Sequence, residues 1–124
     1  MGADFTVLVI DDDSGIRDSL AEVLEVEGFS VACASNGAEG LERLRARRPG
    51  LVVVDLLMPV MNGYQFISAL RDDPATSQLP VVLMTGATPR AGHPLPTADA
   101  LLPKPFELDD LLALVRRFAE ATPP

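Results

Sequence analysis

The chain has 124 residues, of which 48% are hydrophobic, with one cysteine and a formal net charge of −8. That length fits a single domain that buries a core without disulfide or metal staples, and the hydrophobic share excludes a disordered chain. The negative charge argues against nucleic acid or an anionic membrane as the main partner and suits a cationic ligand, either a metal ion or a basic protein surface.

Thr6-Val7-Leu8-Val9-Ile10 is a continuous apolar run, read as a strand buried on both faces, and it ends in Asp11-Asp12-Asp13. From Ser14 the period changes: Ile16, Leu20, Val23 and Leu24 share a helical face, and Gly28 is a natural stop. Asp13 reads as the cap of that helix. Phe29 to Ala34 reads as a second strand, followed by the turn residues Ser35-Asn36-Gly37. Cys33 lies within it and is expected to be a small buried hydrophobe in a reducing cytosol. Ala38, Leu41 and Leu44 mark a short helix that ends at Arg47-Arg48-Pro49-Gly50.

Leu51-Val52-Val53-Val54 forms the next buried strand, closed by Asp55 and soon interrupted by Pro59. Tyr64 to Leu70 resumes helical spacing through Phe66, Ile67 and Leu70, and Asp73-Pro74 breaks it. Leu79 to Thr85 is a fourth strand and Ala100-Leu101-Leu102 a brief fifth. Between them, Pro89, Gly92, Pro94 and Pro96 predict an irregular connection over 86–99 with no full amphipathic helix. His93 falls there and reads as a solvated loop histidine. Leu108, Leu111, Leu112, Val115 and Phe118 give a final helix, and 119–124 reads as a frayed tail or the start of a linker. No stretch is apolar and long enough to span a bilayer, so a cytoplasmic chain is expected.

Strands alternating with helices imply βαβ units and a parallel sheet covered on both faces. Right-handed crossovers and five strands fit the flavodoxin-like order 2-1-3-4-5. Ligands of such sheets collect beyond the carboxyl ends of the strands. There the first strand delivers Asp11 and Asp12, the third Asp55, the fourth Thr85 and the fifth Lys104.

Three carboxylates brought together resist full ionisation unless a positive charge intervenes. A hard divalent cation answers this, Mg²⁺ or Mn²⁺, with Asp12 and Asp55 as direct ligands. Asp11 would hold a metal-bound water, and the Leu57 carbonyl would complete the set. Lys104 is the only lysine, the nine other basic positions being arginine, and its compact charge suits a phosphoryl oxygen. Thr85 adds a hydroxyl, and Gly86 leaves room beside it. With the metal neutralising charge, Asp55 could attack phosphorus and become an aspartyl phosphate.

Four motifs carry a resemblance: Val9-Ile10-Asp11-Asp12-Asp13, the run from Val54-Asp55 through Met58-Pro59 to Asn62-Gly63, Val82-Leu83-Met84-Thr85-Gly86, and Leu102-Pro103-Lys104-Pro105-Phe106. In this order and spacing the chain resembles a receiver domain of the two-component response regulators, as one domain over 1–124. The resemblance implies that Asp55 accepts a phosphoryl group from a histidine kinase or histidine phosphotransfer protein. It implies Asp11 and Asp12 as the acidic metal pair, Thr85 as switch hydroxyl and Lys104 as phosphate-binding lysine. The backbone N–H groups of Leu56 and Gly86 are expected to donate to the phosphoryl oxygens, and a downstream output protein or domain is expected to read the switch. The resemblance further implies a cis Lys104–Pro105 bond.

Two positions depart from the family. Leu101 stands where receivers carry an aromatic residue, and the proline-laced 86–99 stretch stands where they have a helix. That second departure supports a rival reading, an interaction module that binds its partner regardless of phosphorylation. A phosphatase with an aspartyl nucleophile would want a second acid two residues past Asp55, where Leu57 stands.

Overall fold

The computed structural model describes residues 5–86 and 98–121. Strands β1 (Thr6–Ile10), β2 (Ser30–Ala34), β3 (Leu51–Asp55), β4 (Val81–Thr85) and β5 (Ala100–Pro103) alternate with helices α1 (Ser14–Val26), α2 (Gly37–Ala46), α3 (Gly63–Asp72) and α4 (Leu108–Ala121). The strands pair in parallel in the order β2-β1-β3-β4-β5, the expected flavodoxin-like sheet.

Alternation along each strand divides the core in two. Val7, Val9, Val53, Val82 and Met84 face α1 and α4, where Leu20, Leu24, Leu111 and Val115 meet them. Leu8, Ile10, Val52, Val54 and Leu83 face α2 and α3, packing on Leu44, Phe66, Ile67 and Leu70. β1, β3 and β4 are thus buried on both faces, which is why they read as unbroken apolar runs rather than alternating ones.

Local chemistry sets the helix ends. The Asp13 side chain accepts the Ile16 N–H, the expected cap of α1. At the other end Gly28 takes φ +96°, its N–H reaching the Glu25 carbonyl while Phe29 N–H reaches Leu24. Phe29 is spent on that closure, so β2 starts at Ser30, one residue later than predicted. Asn36 and Asn62 cap α2 and α3, and Asn62 forms a full capping box with Gln65.

Other boundaries shift for similar reasons. β4 begins at Val81 because the Leu79 N–H turns back to the Thr76 carbonyl and Pro80 has no N–H to offer. α4 continues through Ala119, Glu120 and Ala121, which the sequence reading placed in the tail. Cys33 is half-buried rather than buried, because β2 is an edge strand. The expectation of an irregular connection in place of a helix concerns 86–99, and 87–97, with His93, lie outside the described residues. Among the described residues the fourth helix in chain order is α4, after β5.

Candidate functional site

The sheet register brings the predicted polar residues to one edge. Ile10 pairs with Val54, Asp55 with Met84, and Thr85 with Pro103. Asp11, Asp55, Thr85 and Lys104 therefore end or follow adjacent strands at the same level. The Lys104 N–H donates to the Thr85 carbonyl at 2.8 Å, fixing the segment after β5 against the end of β4. The Lys104–Pro105 bond is cis, as expected.

The Lys104 Nζ stands 3.0 Å from Asp55 Oδ1 and 3.6 Å from Asp11 Oδ2. Asp11 and Asp55 are buried, Asp12 is exposed and Lys104 half-buried. Burial pushes the Asp11 carboxyl above the usual carboxylate range. The Asp13 N–H and the Lys104 charge pull it back, but the charges of Asp55 and Asp12 add to the rise. Burial works against the Lys104 ammonium, yet its hydrogen bond to Asp55 and the charges of Asp55 and Asp11 overcome that, and its pKa is raised.

These carboxylates fit a divalent cation. One oxygen each from Asp11, Asp12 and Asp55 lies within 4.8 Å of the others, an all-oxygen set of the kind hard cations take. Among the described residues the buried Asp11 Oδ2 atom has no hydrogen-bond partner within 3.5 Å, its nearest cation being Lys104 at 3.6 Å. A buried carboxylate oxygen in that condition is costly unless a further positive centre meets it.

Comparison with known proteins is decisive for the family. Residues 7–116 match the family described as the response regulator receiver domain. The chain belongs to the response regulator receiver family. It is 40% identical over 120 residues to response regulator Rre1 of Synechocystis and 36% identical over 121 residues to response regulator MprA of a Mycobacterium. Those alignments take in 94% and 95% of this chain but 52% of each relative, so the chain spans about half the length of either. Among solved structures, the signal receiver domain of a histidine kinase from Syntrophus aciditrophicus superposes with a TM-score of 0.88 at 28% identity, covering 95% of this chain and 92% of that one. Chemotaxis protein CheY4 of Vibrio cholerae gives 0.81 at 28% identity, covering 92% and 98%.

Within this receiver domain Asp11, Asp12 and Asp55 lie together with Lys104 beside the end of β4, and one expected group points elsewhere. The Leu56 N–H donates to the Met84 carbonyl at 3.0 Å, closing the β3–β4 ladder, so it does not face a phosphoryl oxygen. Among the described residues, a Cβ added to Gly86 would meet nothing within 4 Å. The Leu57 side chain is 71% exposed, projecting away from the core just past Asp55. Leu101, at the family's aromatic position, is likewise well exposed.

Sequence reasoning missed Arg17. Its guanidinium donates to the Asp11 carbonyl at 2.7 Å from the first turn of α1. A cation where the helix dipole favours anions was the available signal. Among the described residues no helix is long and apolar enough to cross a membrane.

Proposed function

We propose that this receiver domain takes a phosphoryl group from the phosphohistidine of a histidine kinase or histidine phosphotransfer protein onto Asp55. A carboxylate oxygen of Asp55 bonds to phosphorus as the phosphorus–nitrogen bond breaks, and the electron pair leaves with the imidazole nitrogen. The observation that carries this reading is the Lys104 ammonium 3.0 Å from Asp55 Oδ1, inside a carboxylate cluster at the ends of the strands. Lys104 orients Asp55 beforehand and then pairs with the phosphoryl oxygens as negative charge gathers on them. The Thr85 hydroxyl and the Gly86 N–H complete the cradle.

Asp12 and Asp55, with Asp11 through a water and the Leu57 carbonyl, would hold Mg²⁺ or Mn²⁺. The bound ion supplies neutralisation of the charge shared between Asp55 and the incoming group. Beyond catalysing its own phosphorylation the domain performs no turnover. With Leu57 in place of a second acid, no described residue beside Asp55 is set to activate water, so the acyl phosphate is lost slowly. A cytoplasmic location suits such a donor, and the output is a protein or domain that reads the phosphorylated state rather than nucleic acid bound directly. The phosphorylation-independent alternative rested on 86–99, and no described residue favours it.

Incubation with acetyl phosphate and Mg²⁺, followed by intact-mass measurement, tests this. One phosphoryl group should be gained, only with divalent metal, and not by Asp55→Asn. A gain that survives Asp55→Asn, or none in the natural chain, would overturn the assignment.

A further inference from the structure

We infer that Arg17 is a positioning residue for the metal site, holding the β1–α1 corner in the shape that lets Asp11 and Asp12 face one ion. The inference rests on the proposed metal-binding role of the acidic cluster. Three bonds fix that corner. The Asp11 N–H donates to the Ala34 carbonyl at 3.1 Å, the Asp13 N–H to Asp11 Oδ1 at 2.9 Å, and the Arg17 guanidinium to the Asp11 carbonyl at 2.7 Å. The first two belong to sheet and turn. The third is charge-assisted and comes from a side chain that folds back toward the helix N-terminus.

Its placement runs against local preference. The first turn of α1 carries no acidic residue, and Arg17 sets a cation there instead. It also brings a positive charge to the corner that carries Asp11 and Asp12, which by Coulomb's law alone disfavours a cation there. A residue unfavourable on both counts earns its place through geometry. Without the guanidinium, the carbonyl of the peptide between Asp11 and Asp12 loses its charge-assisted anchor and only the sheet and turn bonds on either side restrain it. Asp12, exposed and lacking the burial that holds Asp11, would lose its aim at the shared site.

The geometric and electrostatic roles predict opposite signs. Calorimetric Mg²⁺ titration of the natural chain, Arg17→Gln and Arg17→Lys separates them. If Arg17 positions the corner, Arg17→Gln raises the Mg²⁺ Kd about tenfold, in the range found when partners of metal ligands are removed. Arg17→Lys, which keeps a donor and the charge, should fall between. If Arg17 acts only as a nearby charge, Arg17→Gln lowers the Kd, and that result or an unchanged Kd overturns the inference while leaving the metal site standing. Should the natural chain bind no Mg²⁺, the site and the inference fall together. A second readout needs no metal: in EDTA the Asp13 amide should exchange faster in Arg17→Gln, with later α1 amides unchanged, and unchanged exchange at Asp13 also overturns it. If the Gln variant does not fold, Arg17→Lys carries the test, a natural Kd counting against the inference.

Discussion

The pairing of Lys104 with Asp55 and Asp11 explains why a chain otherwise furnished with arginine keeps one lysine. A guanidinium would need room for a planar fork, whereas the ammonium fits as a point charge between two buried carboxylates. Composition made this residue legible before any coordinates. Val60 was not legible, since nothing in Pro59-Val60-Met61 announces a left-handed backbone. Yet Val60 has φ +66° with its side chain 80% exposed. A β-branched residue there costs about 1–2 kcal/mol, and no core packing offsets it. Glycine would remove that strain while giving back about 0.5–1 kcal/mol of backbone entropy. Val60→Gly should therefore raise stability by roughly 0.5–1 kcal/mol, read as a higher urea midpoint at unchanged slope.

At the level of elements, the types and order of strands and helices followed from hydrophobic periodicity, because each central strand is buried on both faces and each helix on one. Boundaries followed from hydrogen bonds that periodicity does not see, as at Phe29 and Leu79. Asn36 was read as a turn residue and Asn62 only as part of a motif, although Asn36 with Glu39 and Asn62 with Gln65 have the spacing of helix starts. Gly63, which ends the same motif, has a sharper role. A Cβ there would come within 2.9 Å of the Asp55 carbonyl oxygen and of Leu56 Cα, both backbone atoms that cannot swing aside. The Gly63 N–H also donates to the Leu56 carbonyl at 2.8 Å, so α3 starts directly beneath Asp55. Gly63→Ala should cost about 1–3 kcal/mol as an overpacking change. It should also slow phosphorylation by acetyl phosphate, since relief requires moving Asp55 or the start of α3. A variant with natural stability and rate would show that this approach is not tight.

For the molecule as a whole, the sheet edge gathers carboxylates whose mutual repulsion opposes folding and which Lys104 offsets in part. The convergence of Asp11, Asp12, Asp55, Thr85 and Lys104 was legible because parallel strands must deliver their ends to one edge. The unsatisfied Asp11 oxygen was not, since it depends on side-chain positions a few tenths of an ångström apart. Its consequence is a linkage between stability, pH and metal. Asp11 binds its proton more readily in the folded chain than at its ordinary value of 3.8, so protons favour the fold at this position. In EDTA its contribution to stability is lost as pH rises from the ordinary carboxylate range through its raised pKa. Lys104, also raised, loses its contribution only in alkali and does not interfere. Asp11→Asn keeps an oxygen for the Asp13 N–H but cannot ionise, so in EDTA it should be the more stable protein. Its advantage should widen as pH rises from the ordinary carboxylate range through the raised pKa of Asp11. Added Mg²⁺ should reverse the ranking, because an ion that binds only the folded chain adds about 2.7 kcal/mol at a hundredfold excess over Kd. Asp11→Asn, with a weakened site, should gain less. Urea unfolding of both proteins across that range, with EDTA and with Mg²⁺, measures all three effects. Equal pH dependence of the two proteins in EDTA would show that Asp11 carries no such strain.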